Sequence, residues 1–106
     1  MEIQFNTANQ VTATPEMEAR AREIVDGTLA RFASRLTRVE LHLGDENSPA
    51  KGGAADIRCS MEARPQGLRP IAASHNDADP DAAMRGAAKK LARALDNEFG
   101  KLDARR

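Results

Sequence analysis

DPDAAMRGAAKKLARALDNEFGKL, residues 79–102, is the stretch on which the reading of this chain turns. Asp79 can accept hydrogen bonds from the free amides of a first helical turn. Pro80 suits the first helical position, where its missing N–H would have had no partner. Met84, Ala87, Ala88, Leu91, Leu95 and Phe99 then recur three or four residues apart and make one apolar stripe of an amphipathic helix. Arg85, Lys89 and Arg93, spaced by four, line a different face, with Lys90 and Lys101 beyond it. One face is built for a core, and the other shows positive charge to solvent. On a helix taken alone, such a row is ordinary solvated surface.

Working outward, Thr14-Pro15-Glu16 repeats the same start: a hydroxyl cap, a proline at the first position, then an acid where the helix dipole favours it. Met17, Ala21, Ile24, Thr28, Phe32 and Leu36 form its stripe, widened by Val25 and Leu29, with Arg20, Arg31 and Arg35 on one flank. Gly27 costs about 1 kcal/mol relative to alanine, and a stripe this long is expected to carry the helix past it. Ahead of it, Ile3 and Phe5 alternate with Glu2, Gln4 and Asn6 as a short strand, and residues 9–13 read as a turn.

Between the helices lie three further strands. Residues 38–43 place Val39, Leu41 and Leu43 inward and Arg38, Glu40 and His42 outward. The Gly- and Pro-rich residues 44–53 read as a mobile hairpin loop. Residues 55–63 turn Ile57, Cys59, Met61 and Ala63 inward, and Pro65-Gln66-Gly67 is a hairpin turn. Residues 68–74 are a weaker strand that Pro70 places at a sheet edge, followed by a lead into the second helix at His75 to Ala78. Residues 103–106 are expected to fray.

Strand, helix, three strands, helix implies an α+β fold: a two-layer β-α-β-β-β-α sandwich. Its four-stranded mixed sheet has the first strand parallel to the second and both helices packed on one face. The rows Arg20/Arg31/Arg35 and Arg85/Lys89/Arg93 can then merge into one basic surface, diluted by Glu18, Glu23, Asp26 and the Asp77/Asp79/Asp81 cluster. The 106 residues suffice for a single domain, 1–106, with one modest core.

Net charge is zero, so no overall field draws the chain to nucleic acid or membrane, and a polyanion must be met by a local patch. The single cysteine, Cys59, excludes a disulfide framework and fits a reducing cytoplasm. No stretch approaches the ~18 apolar residues of a membrane span. With no Trp or Tyr and three Phe, base stacking is poorly served, and phosphate contact is the better-fitting mode.

With the final helix carrying AAKKLARAL after Ala82-Ala83-Met84, RFASRLTRVELHL joining the first helix to the second strand, and an IQFNTANQV first strand, the chain resembles the ribosome hibernation-promoting factor family. That family includes the ribosome-associated inhibitor A proteins and was formerly called sigma-factor modulation proteins. Its signature in the last helix corresponds here to Ala83, Met84, Lys90-Leu91 and Arg93. The resemblance spans nearly the whole chain and implies a non-enzymatic protein without cofactors. Such a protein sits in the decoding region of the small ribosomal subunit and silences or protects ribosomes under stress or in stationary phase. Basic helix residues would contact ribosomal RNA: by position, Arg20, Arg31, Arg35, Arg85, Lys89, Lys90 and Arg93. No membrane or DNA partner is implied, a weak homodimer is allowed, and ending at Arg106 fits a short form. Asp79-Pro80-Asp81-Ala82, where typical members have a bulky residue, and the polar middle of the chain mark a divergent branch.

Rival chemistries find less. His42, Cys59 and His75 come from different strands, and parity sets His42 on the wet face opposite Cys59, so one ion cannot take both. Glu40 and Glu62 beside His42 are expected sheet-surface charges, and no nucleophile elbow or phosphate loop is present. The alternative is a protein–protein interaction module of the same fold that does not bind ribosomes.

Overall fold

The structure, a computed structural model, describes residues 1–8, 10–47 and 56–104. Its elements are β1 (Glu2–Ala8), α1 (Pro15–Thr28), a 3-10 helix (Ala30–Arg35), β2 (Leu36–Asp45), β3 (Ile57–Pro65), β4 (Ile71–Asp77) and α2 (Pro80–Ala104). The sheet order is β1-β2-β3-β4, with β1 parallel to β2 and the other pairs antiparallel. A helical crossover between β1 and β2 is what a parallel neighbour demands, while a short turn is enough between β3 and β4. Gly67 supplies that turn with φ 74°, and Leu68 N–H donates to the Pro65 carbonyl at 3.4 Å.

Register carries the two-faced reading through. Val39 pairs with Ala63, Leu41 with Met61 and Leu43 with Cys59, and all six are buried beneath the helices. On the opposite face Arg38, Glu40 and His42 meet Arg64, Glu62 and Ser60. Glu40 lies 3.5 Å from both Arg38 and Arg64, so the charges on that face alternate and offset one another. From α2, the whole anticipated stripe is buried, and Ala83 and Ala92 extend it. Small residues there let the helix lie close to β3 and β4. Asp79 caps it as expected, with its Oδ2 accepting from Ala82 N–H at 3.0 Å.

Several boundaries differ from the sequence reading. First, α1 stops at Thr28, so the stripe through Phe32 to Leu36 is not one helix. Thr14 and Pro15 start it as expected, Thr14 Oγ1 accepting from Met17 N–H at 3.1 Å. Gly27 and β-branched Thr28 are weak helix formers, and Leu29 leaves the helix at φ −105°, ψ 14°. The tighter 3-10 winding that follows eclipses residues three apart. That keeps Leu29 and Phe32 on the core side and delivers Leu36 as the first, buried residue of β2. Phe32 then stacks tilted against Phe99 of α2, with centroids 5.8 Å apart.

Second, β4 spans Ile71–Asp77, not 68–74. Pro70 precedes the strand, where its fixed φ and missing N–H do no harm, and β4 is indeed an edge. His75 is therefore a strand residue paired with Cys59, not part of the lead into α2. Third, α2 continues through Asp103 and Ala104, two of the four residues expected to fray; 105 and 106 lie outside the described residues. The loop expected at 44–53 begins later, because Gly44 and Asp45 belong to β2. Asp45 Oδ1 accepts from the N–H groups of Asn47 and Asp56, closing the base of that hairpin. Residues 48–53 of that loop fall outside the described residues.

Candidate nucleic-acid interface

The seven basic residues singled out from the sequence lie on the outer surface of the helical layer, in two different electrostatic settings. Arg20 projects from α1; Arg31 and Arg35 project from the 3-10 helix rather than from α1 itself. Each meets an aspartate of α2. Arg20 Nε lies 2.9 Å from Asp81 Oδ1, Arg31 pairs with Asp96, and Arg35 lies 3.5 Å from Asp103. Arg31 and Arg35 also cover Phe32 and Phe99, their guanidinium carbons 4.5 Å and 3.7 Å from the ring centroids. Arg85 Nε donates to Asp81 Oδ2 at 2.8 Å, so Asp81 bridges α1 and α2 between two guanidinium groups. The hydrogen bond from Arg85, then the charges of Arg85 and Arg20, hold the Asp81 carboxyl below its usual range against partial desolvation.

The other setting is the seam between α2 and β4. Lys89, Lys90 and Arg93 are exposed, and among the described residues none of them is ion-paired. Lys90 Nζ donates to the main-chain carbonyl of Ser74 at 3.3 Å, which anchors the side chain and leaves its charge uncompensated. With Arg85, Ala82, Gly86 and His75 they line an open groove of about 470 Å³. Further along the same seam, a second groove of about 530 Å³ runs between residues 68–71 and Ala94 to Lys101, and Arg69 stands on it. Lys101, grouped in sequence with the basic row, lies 3.8 Å from Glu98.

The two basic rows do come side by side, but Asp81, Asp96 and Asp103 stand between them. Helical spacing alone sets these acids on one flank of α2. What they meet there depends on α1 and the 3-10 helix, dozens of residues away. His75 and Arg69 were not singled out as binding residues. The sequence reading puts His75 in the lead into the second helix and Arg69 in the weaker strand 68–74, whereas His75 lies in β4 and Arg69 just ahead of it.

The sheet also separates His42 from the other two residues weighed as metal ligands. His42 is exposed on the wet face, Cys59 is buried on the helix side, and His75 shares the Cys59 side as its register partner. Burial pushes the Cys59 thiol up to about 12, which suits a small core hydrophobe. Among the described residues no group of three or more His, Cys, Asp or Glu side chains is placed to hold a metal ion. No helix among them is long and apolar enough to cross a membrane.

Comparison with known proteins agrees with this architecture. Residues 4–103 match the family described as sigma 54 modulation protein / S30EA ribosomal protein. Among solved structures, a ribosomal subunit interface protein from Coxiella burnetii superposes with a TM-score of 0.59 at 17% identity, covering 98% of this chain and 99% of that one. The N-terminal domain of Thermus thermophilus Protein Y superposes with a TM-score of 0.66 at 18% identity, covering 92% and 98%. No curated protein sequence matches the chain.

Proposed function

We propose that this chain, which belongs to the sigma 54 modulation and S30EA ribosomal protein family of non-enzymatic ribosome-associated factors, binds the small ribosomal subunit through the cationic outer surface of its helices. There it occupies the decoding region and silences or protects ribosomes under stress. The observation that supports this reading best is the trio Lys89, Lys90 and Arg93 on one rigid helix, without an ion-pair partner among the described residues. Phosphate recognition needs cations fixed along a stiff surface and no base-reading groups, and this helix supplies that.

Of the seven candidates, these three contact RNA phosphate without first giving up an acidic partner. Arg20, Arg31, Arg35 and Arg85 must exchange a carboxylate for a phosphate, so each adds less. Three phosphate contacts give a log–log salt slope of about −2.7, which is roughly a 40-fold loss of affinity between about 50 and 200 mM salt.

Co-sedimentation with purified small subunits at low and high salt tests this, using wild type and an Arg85→Glu/Lys89→Glu/Arg93→Glu variant. Salt-sensitive pelleting that the variant loses is the expected result. A folded wild type that stays in the supernatant at low salt would turn the search towards protein partners, a use that zero net charge and the interleaved aspartates would suit.

A further inference from the structure

Lys89, Lys90 and Arg93 make the rim of the α2–β4 groove, and its floor is the imidazole of His75. That side chain is 30% exposed and points to the helix side of the sheet, as its register partner Cys59 does. It lies directly against α2 at Gly86. A Cβ added there would overlap the ring, coming within 2.7 Å of Nε2 and closer still to Cγ and Cδ2. Glycine at this point of a helix otherwise costs about 1 kcal/mol relative to alanine, and here it makes room for one imidazole. The ring is thus held by a strand beneath it and by a helix backbone beside it.

The charged and titratable groups around it come from three elements. α2 contributes Arg85, Lys89, Lys90 and Arg93. β4 contributes Asp77, whose Oδ2 lies 3.6 Å from His75 Nε2. β3 contributes the buried Cys59 thiol, which is neutral at physiological pH.

We propose that His75 is a phosphate-contacting residue of this groove, and that seating an RNA backbone phosphate there takes up a proton on its imidazole. The inference rests on the ribosome-binding reading above and deepens it. An RNA phosphodiester keeps its negative charge throughout the neutral range, so between the two partners only the imidazole changes state. Imidazole titrates near pH 6.5, and its protonated form donates from both nitrogens where the neutral form donates from one. A phosphate set among these groups favours the charged imidazole, so binding and proton uptake are linked. His42, on the opposite face of the sheet, takes no part and serves as an internal control.

The test is the affinity for purified small ribosomal subunits between about pH 6 and pH 8 at fixed salt, for wild type, His75→Gln, Gly86→Ala and His42→Gln. Wild type and His42→Gln should bind several-fold more tightly at the acidic end, because proton uptake by one imidazole is linked to binding. His75→Gln should lose that dependence. Gly86→Ala, which drives the ring off the helix, should lose it as well, so the result does not hang on one variant. Binding that is pH-independent in wild type, or pH-dependent to the same degree in His75→Gln, overturns the inference and leaves the ribosome reading intact. No binding at either pH overturns both. Inorganic pyrophosphate offered in place of subunits, with the His75 imidazole followed by NMR, separates the sources of phosphate. A response at the concentrations where subunits bind would assign the groove to small phosphates and overturn the RNA assignment.

Discussion

The α1–α2 seam and the α2–β4 seam hold the same kinds of residue at similar spacings, yet they present different charge to solvent. On the first, three arginines each face an aspartate, and two of them also cover a phenylalanine ring. On the second, two lysines and an arginine have no ion-pair partner among the described residues and rim a groove floored by histidine. A count of basic residues treats the seams as equal. What a polyanion meets is charge left uncompensated, and that lies mostly on one side of α2. The paired seam does a different job: it ties α1 and the 3-10 helix to α2. Exposed pairs like these contribute little each, about 0–1 kcal/mol, and the apolar stripe beneath them carries the fold.

That contrast can be broken in several ways. The largest effect comes from the wall both seams share: Leu91→Ala should destabilise the fold by about 2–5 kcal/mol, read as a shift of the denaturant midpoint. A loss well below 1 kcal/mol would mean that α2 is not the keystone of the core. Next, Asp81→Asn/Asp96→Asn/Asp103→Asn should free Arg31, Arg35 and Arg85 of their acids, while Arg20 keeps Glu23 at 3.2 Å. Subunit affinity should then rise and the salt slope steepen, by up to about one per released arginine. If the slope stays where it was, the released arginines do not reach RNA at all.

A double-mutant cycle isolates the groove floor. Gly86→Ala should destabilise the wild type but stabilise a His75→Ala background, with a coupling of about 1–2 kcal/mol in urea unfolding. Additive single effects would show that the ring does not occupy the space Gly86 leaves. The smallest effect belongs to Asp81. Its folded-state pKa is lowered by Arg85 and Arg20, so its contribution is present above the unfolded carboxylate value and is lost as pH falls through the folded one. Wild type should therefore lose stability below about pH 4 slightly more than Asp81→Asn does. Identical acid profiles would remove Asp81 as a bridge.

Sequence periodicity made most of the fold legible and much less of the site. The stripe of α2 and the alternation of β2 and β3 depend on neighbours a few residues away, so a single chain displays them. The end of α1 was hidden because Phe32 and Leu36 continue a helical spacing that a 3-10 turn followed by a strand also satisfies. The sequence sets β4 three residues too early at both ends, and the early end leaves His75 outside the sheet and so outside the groove. The basic candidates came from spacing and resemblance. Whether each is free or paired was invisible, because Arg31 and Asp96, or Arg20 and Asp81, meet only after the helices are packed together.

The central claim is that the α2–β4 seam carries the interaction with ribosomal RNA. The most direct measurement is the salt slope of affinity for purified small subunits in three proteins: wild type, Lys89→Gln/Lys90→Gln/Arg93→Gln, and Arg20→Gln/Arg31→Gln/Arg35→Gln. The first triple variant should lose most of a slope of about −2.7, while the second keeps nearly all of it. Equal losses in the two variants, or a slope carried mainly by Arg20, Arg31 and Arg35, would contradict that claim.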